Sequence, residues 1–179
     1  MRIRDWYFQG WERREDENGK LRFVYTGEVY RFPGGMAAVR KFAVLFAAAL
    51  IALYALVALN PSAGGMWHWA AVPQLLEIIP LVYLLIGAVC LLRAKEPLTY
   101  RDYHASWQRM RYAALWSVCF SALMVAAEIA YFFAVPEARF ADEILYFLGE
   151  LALTALSLVL ARYINKHPAA ASPGQAEKE

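Results

Sequence analysis

The chain has 179 residues, of which 60% are hydrophobic and 15% aromatic, and its formal net charge at pH 7 is only +2. The apolar share exceeds the roughly 45–50% of soluble globular domains, which excludes a disordered chain and favours a membrane protein. Basic residues are concentrated beside the apolar runs, where they are topology signals more often than binding sites, so we see no reason to expect nucleic acid as a partner. The two cysteines form no C-x-x-C motif, which argues against a thiol redox site.

The first predicted element is a cytoplasmic β-hairpin over residues 1–35. Two aromatic-rich runs flank Asn18 and Gly19, and this dipeptide is typical of two-residue hairpin turns. With the dipeptide at the centre of the turn, Glu15 is expected to pair with Arg22. A lone two-stranded hairpin is marginal in water, and this one is apolar on both faces. We therefore expect it to pack on the membrane surface, on the cytoplasmic helix ends or on another protein.

Four long apolar runs follow. Each is near the roughly 20 residues that cross about 30 Å of hydrocarbon, and backbone amides in lipid must bond within their own helix. The sequence predicts an all-α membrane protein, a four-transmembrane-helix bundle over residues 36–166. The predicted spans are residues 38–60, 70–92, 110–135 and 141–163.

Two further segments flank these spans. Thr99 and Asp102 form a helix N-cap signature, which predicts an interfacial helix before span three. The segment 167–179 is small, polar and proline-containing, so we expect a disordered cytoplasmic tail.

The distribution of lysine and arginine predicts the orientation. Nine precede span one, none lies in the first outer loop, five lie between spans two and three, one in the next loop and three after it. By the positive-inside rule, both termini are cytoplasmic, as in a multi-pass protein of the bacterial plasma (inner) membrane. Arg40 and Lys41 beside span one, and Arg109 and Arg111 beside span three, suit anionic lipid headgroups on the cytoplasmic side.

Three glutamates interrupt the spans: Glu77 in span two, Glu128 in span three and Glu150 in span four. Counted from the predicted outer ends, they lie about 9, 12 and 13 Å deep, so we expect one shared layer in the outer half of the membrane. No lysine or arginine lies deep in any span. The carboxyls are therefore expected to be protonated or to meet a metal, an organic amine, a proton in transit or a partner's basic residue.

Polar residues recur at helical spacing around these acids. On span three a polar face joins Ser117, Ser121, Glu128 and Tyr131, and on span four a polar stripe joins Glu143, Glu150, Thr154 and Ser157. The predicted ligand or ion pocket consists of Glu77, Glu128, Glu150, Gln74, Ser121, Tyr131 and Thr154.

Three functions remain open from the sequence. The first is binding or transport of a cation, a proton or a cationic small solute in the acidic pocket. The second is a non-catalytic accessory or assembly subunit that docks partners through the hairpin. The third is a membrane enzyme acting on a lipid-soluble substrate. No catalytic motif, metal site or cofactor fingerprint is present, so enzymatic activity is not specifically indicated. Because four spans leave little room for alternating access, we expect a homo-oligomer or a membrane partner protein.

Overall fold

The computed structural model describes residues 10–15, 21–60, 62–136 and 138–173. Four helices are long and apolar enough to cross a membrane, and the third of these spans includes the turns that precede its long helix. The prediction of a mostly helical, multi-pass membrane protein is therefore confirmed. A one-turn helix lies between the first two. The helices are α1 (Met36–Leu59), α2 (Ala63–Met66), α3 (His68–Arg93), α4 (Tyr100–Tyr103), α5 (Arg109–Ala134) and α6 (Phe140–Lys166).

The four long helices pack side by side. α1 contacts α3 and α6, and α5 contacts the same two helices, so each long helix has two long neighbours. Their outward faces expose large apolar side chains such as Leu85, Phe133 and Leu145, whereas buried positions include serines and glutamates. The buried positions are still mostly apolar, but such extensive apolar outward faces are unlike the surface of a soluble protein and suit a bundle whose solvent is hydrocarbon.

The turns before α5 combine with it into one helix. The Thr99 hydroxyl accepts a hydrogen bond from the Asp102 amide at 3.2 Å, so the N-cap predicted from the sequence is present. α4 then continues through a π-helical turn, His104–Gln108, directly into α5. The expected interfacial helix is therefore the first part of the same helix as span three.

The hairpin differs from the prediction in register. β1 (Trp11–Glu15) pairs antiparallel with β2 (Leu21–Tyr25), and the pairing places Glu15 opposite Leu21 where Arg22 was expected. This one-residue shift sets Trp11 opposite Tyr25, whose rings make an edge contact at 5.4 Å. Contact between aromatic rings stabilises a strand pair, and this contact requires the observed register. The predicted turn at Asn18-Gly19 lies outside the described residues.

The second strand of the expected hairpin is divided. β2 ends at Tyr25, and β3 (Glu28–Arg31) belongs to a second sheet, where it lies between β4 (Leu98–Thr99) and β5 (Ala170–Pro173), antiparallel to both. β5 lies in the segment that was expected to be disordered. It is ordered here because its backbone groups pair with β3, a partner that composition does not reveal.

Candidate functional site

Four glutamate side chains of the long helices are buried, with 4% or less of their surface exposed: Glu77, Glu128, Glu143 and Glu150. Burial of a carboxylate is costly unless hydrogen bonds or a cation compensate it. Lysine and arginine are absent from residues 42–92, 112–138 and 140–161, which contain all four. Hydrogen bonds, or a ligand from outside the chain, must therefore compensate any charge here.

Glu143 is the best satisfied of the four. It lies in the first turn of α6, and Ser62 Oγ donates a hydrogen bond to its Oε2 at 2.5 Å. The backbone amides of Ala63 and Gly64 donate to its Oε1 at 3.1 and 3.3 Å. Three donors match an acceptor-only carboxylate, and the contact lies at the amino-terminal end of α2, where negative charge is favoured. Glu143 therefore fastens α2 to the start of α6.

Glu128 lies directly beneath α2. A Cβ built on Gly64 would be 2.5 Å from Glu128 Oε1, so only glycine allows the backbone to approach the carboxyl this closely. Both oxygens of Glu128 are buried without a hydrogen-bond partner in the described residues. Its carboxyl interacts electrostatically with those of Glu143 and Glu150. Glu128 is therefore a buried carboxyl whose charged neighbours are also carboxyls.

Glu150 lies deeper, on the face of α6 that points into the bundle. Neither of its oxygens has a regular hydrogen-bond partner in the described part of the chain. The Tyr146 hydroxyl, one turn earlier, makes a long hydrogen-bond contact with Glu150 and interacts with its charge, and it lies 3.5 Å from Oε1 of Gln74. The Tyr54 hydroxyl donates to the Gln74 carbonyl at 2.7 Å. Polar groups from α1, α3 and α6 thus meet beside Glu150.

Glu77 is the deepest of the four. Ser117 Oγ donates to its Oε1, and Ser157 Oγ lies 3.1 Å from Ser117 Oγ. The second oxygen, Oε2, has no partner in the described residues. This cluster joins α3, α5 and α6 in the interior of the bundle.

The contact between Ser117 and Ser157 gives a common level from which depth can be counted. Along the helices, with a rise of 1.5 Å per residue, Glu150 lies about 10 Å, Glu128 about 16 Å and Glu143 about 21 Å from this pair, toward the end of the bundle that carries α2. The acids therefore form a file, Glu143–Glu128–Glu150–Glu77, from the α2 end of the bundle to its middle. The single layer expected from the sequence is not observed, because Glu77 contacts Ser117 at the level of Ser157, whereas Glu150 and Glu128 lie several residues nearer the α2 end of their own helices.

The file ends in an apolar region. Beyond Ser117 and Ser157, toward the β-sheets, most buried positions are occupied by apolar side chains such as Leu84, Met110 and Ile164, and Ser106 is a buried polar exception. The buried acids thus lie toward the end that carries α2.

The other four residues of the predicted pocket differ in whether their polar groups face the acids or bond within their own helix. Ser121 donates to the Ser117 carbonyl at 2.7 Å and Thr154 to the Glu150 carbonyl at 2.9 Å, so both hydroxyls bond within their own helix. Tyr131 is buried and interacts electrostatically with Glu128. Gln74 contacts Tyr146, as described above.

Four contributors were not predicted from the sequence: Ser62, Gly64, Tyr54 and Tyr146. Ser62 precedes a four-residue helix that contains two glycines. Because such a segment has the composition of a loop, nothing in the sequence predicts a helix there. Tyr146 falls one turn from Glu150 on the polar stripe, and this spacing is the one signal that could have identified it.

In the described ranges, no group of three or more His, Cys, Asp or Glu side chains is arranged to hold a metal ion. Comparisons of the chain with known protein families, with curated proteins and with solved structures find no match.

Proposed function

We propose that the chain is a bacterial plasma-membrane protein with both termini in the cytoplasm, and that α2 faces the outside. The support is the concentration of lysine and arginine before span one and between spans two and three, and their absence from the loop that contains α2. Reporter fusions at the two termini and within residues 62–66 test this topology. Terminal reporters active only outside the cytoplasm would contradict it.

At the file of glutamates, the chain binds a proton, or a cation that replaces the proton, with access from the outer side. One observation carries this proposal: both oxygens of Glu128 are buried and unpartnered, while the charged groups near it are also carboxyls. An ionised carboxylate in this position would be very unfavourable, so Glu128 holds either a proton or a cation. The lack of a three-ligand metal group in the described residues favours the proton.

A purely structural role fits Glu128 and Glu150 less well than it fits their neighbours. Glu143 and Glu77 accept hydrogen bonds from serines on other elements, as side chains that hold a bundle together should do. Glu128 accepts none in the described residues, and Glu150 has only a long contact with Tyr146 of its own helix. Intramembrane acids without a bonding partner commonly mark a path for ions or protons.

Transport across the membrane requires more than the file provides. The file leads from the outer end to Ser117 and Ser157, and the buried side chains described beyond them are mainly apolar. The buried hydroxyl of Ser106 in that region donates to the Asp102 carbonyl of its own helix. Release on the inner side therefore needs a second conformation of the bundle, or a second subunit in the membrane. A homo-oligomer or a membrane partner completes the path.

Infrared difference spectroscopy of the purified full chain in lipid vesicles tests the proposal. We expect a carbonyl band of protonated, buried carboxyl groups that loses the contribution of one carboxyl in Glu128→Gln, and an unchanged band in this variant would contradict the proposal. The matched control is Asp142→Asn, which changes an exposed acid at the start of α6. A hydrophobic organic cation that replaces the proton would remove the same contribution. A spectrum without any protonated carboxyl band, with or without added cation, would refute proton binding at Glu128.

A second function, that of an accessory or assembly subunit, is favoured by the surface of the hairpin. Trp11, Leu21 and Phe23 lie on one face by register and are 42%, 68% and 54% exposed. We propose that this face docks a cytoplasmic partner. Gentle solubilisation followed by affinity purification should recover a defined protein with the wild-type chain and lose it when the three residues are replaced by serine. Recovery of the chain alone would count against this function.

A further inference from the structure

The short helix α2 presents two different sides. Gly64 and Gly65 are buried, whereas Ala63 and Met66 are exposed. Gly64 lies against the Glu128 carboxyl, and a Cβ on Gly65 would be 2.7 Å from the ring of Tyr146. α2 therefore covers the acid file at its outer end, and each glycine is at a position where a side chain would collide with a member of the site.

The contacts that hold α2 in place are few. A helix of four residues cannot hold itself together, because nucleation of a helix is unfavourable. Besides the internal bond from the Gly65 amide to Ser62 Oγ at 2.8 Å, α2 and its N-cap are bonded to the bundle through the three hydrogen bonds to Glu143. Loss of the Glu143 bonds should therefore release α2 while the long helices stay packed.

We propose that α2 is a lid that occludes a proton on Glu128 from the outer solution, and that Glu143 is the latch that holds this lid closed. The inference rests on the proposed function, in which Glu128 carries the exchangeable proton. With the lid open, a hydronium ion gives its proton to a Glu128 carboxylate oxygen and leaves as water, and the reverse step returns it. With the lid closed, Gly64 lies against the carboxyl, and a proton is the ligand that fits beneath it.

The charges around Glu128 explain why the lid and the proton are coupled. The titratable side chains that interact with it in the described residues are Glu143, Glu150 and Tyr146 of α6 and Tyr131 of its own helix. α2 supplies no titratable side chain, and the nearest titratable group on α3 toward this end is the exposed His68. Loss of the Glu128 proton would place a second negative charge near Glu143, and the described groups that interact with Glu128 include no cation. The deprotonated state therefore favours an open lid, and the protonated state a closed one.

Two measurements on the full chain in lipid vesicles test the lid. Hydrogen–deuterium exchange followed by mass spectrometry reports on the amides of residues 63–65, and a water-soluble carbodiimide reports on access from the outside to Glu128. In Glu143→Gln, an amide nitrogen that cannot accept a hydrogen bond replaces one oxygen. We expect roughly tenfold or more faster exchange and faster modification of Glu128, since loss of a hydrogen bond to a charged group commonly has this effect. Asp142→Asn, the adjacent exposed acid, should stay at the wild-type rates.

The outcomes separate the lid from the site that it covers. Equal exchange and equal modification in Glu143→Gln and wild type would overturn the lid. If Glu143→Gln does not fold, Ser62→Ala removes one of the hydrogen bonds to Glu143. The same two measurements, amide exchange and modification of Glu128, are then made on this variant, with the same expected increases. A hydrophobic carbodiimide, which reaches buried protonated carboxyls through lipid, tests the site by itself. Failure of this reagent to modify Glu128 in the wild-type chain would overturn the proton site, whatever α2 does.

Discussion

The hydroxyl of Ser117 donates a hydrogen bond to Oε1 of Glu77, a residue forty positions away on a neighbouring helix. Ser157 lies 3.1 Å from the same hydroxyl, so one serine on α5 links α3 and α6. In hydrocarbon such a bond is not replaced by water when it is lost. Ser117 therefore gives the buried carboxyl of Glu77 its one protein donor among the described residues.

Ser117→Ala should destabilise the bundle by about 1–2 kcal/mol, because it leaves both oxygens of Glu77 without a donor. The matched control is Ser121→Ala, one turn further along α5. The Ser121 hydroxyl is equally buried but donates to the Ser117 carbonyl of its own helix. Its removal should cost less than about 1 kcal/mol. Unfolding of the purified protein in mixed detergent micelles measures both, and equal losses would contradict the importance of the Glu77 contact.

Glutamine should be tolerated at Glu128 but not at Glu143. Glu128 loses no hydrogen bond to the described residues when it becomes an amide, so its free energy of unfolding should change by less than about 1 kcal/mol. Glu143 accepts a hydrogen bond from the Ser62 hydroxyl on one oxygen and from backbone amides on the other. The amide nitrogen of glutamine accepts no hydrogen bond, so whichever oxygen it replaces loses its donors. We expect a loss of about 1.5–3 kcal/mol in Glu143→Gln. The reverse order of the two losses in the same unfolding assay would show that Glu128, and not Glu143, is the structural acid.

The long helices could be predicted from the sequence because the solvent imposes a simple requirement on them. Every backbone amide in hydrocarbon must bond within its own helix, so a span shows itself as an apolar run of sufficient length. The inward face is visible for the same reason, since Glu77, Glu128 and Glu150 would be costly in lipid and all three are buried.

The sheets could be predicted only in part because their partners are distant. β3 pairs with Leu98–Thr99 and with Ala170–Pro173, and neither segment carries a local signal that selects β3. The register of the hairpin depends on contacts between side chains, such as that of Trp11 with Tyr25, which compete with the preference of the turn. The order of the acids in depth likewise depends on which serines touch, and spacing along one helix does not show this.

Alkaline pH should weaken the small sheet through Tyr30. The Tyr30 hydroxyl donates to Oε2 of Glu28 at 3.0 Å. Burial, and then the hydrogen bond and the charge of Glu28, raise the pKa of Tyr30 from 10.0 to about 12. Because the pKa is raised in the folded state, the stabilisation is fully present below pH 10 and is lost as the pH rises toward 12.

The ultraviolet absorbance of tyrosinate, followed as a function of pH, measures this ionisation. The titration curve of Tyr30→Phe is subtracted from that of the wild type to isolate Tyr30. The difference should show a transition near pH 12 that moves toward pH 10 in Glu28→Gln. Between pH 10 and 12, the free energy of unfolding should also change less with pH in Tyr30→Phe than in the wild type. A Tyr30 transition near pH 10 in the wild-type chain would contradict the contact with Glu28.

Gly64→Ala should destabilise the end of the bundle that carries α2, through Glu128. The new methyl group would meet the Glu128 carboxyl at distances that atoms do not adopt, so either α2 or the carboxyl must move. Overpacking of this kind costs about 1–3 kcal/mol. Gly34→Ala is the matched control, because a Cβ at Gly34 meets no atom within 4 Å.

A second substitution shows whether Glu128 is the cause of that loss. Glu128→Ala removes the carboxyl and leaves room beneath α2, so the double variant Gly64→Ala/Glu128→Ala should be more stable than the two separate losses predict when added. The coupling in this double-mutant cycle should be about 1 kcal/mol or more, as for residues in direct contact. Unfolding of the four proteins under one set of conditions measures it. Strict additivity would mean that α2 does not rest on Glu128, and the lid would then lack its central contact.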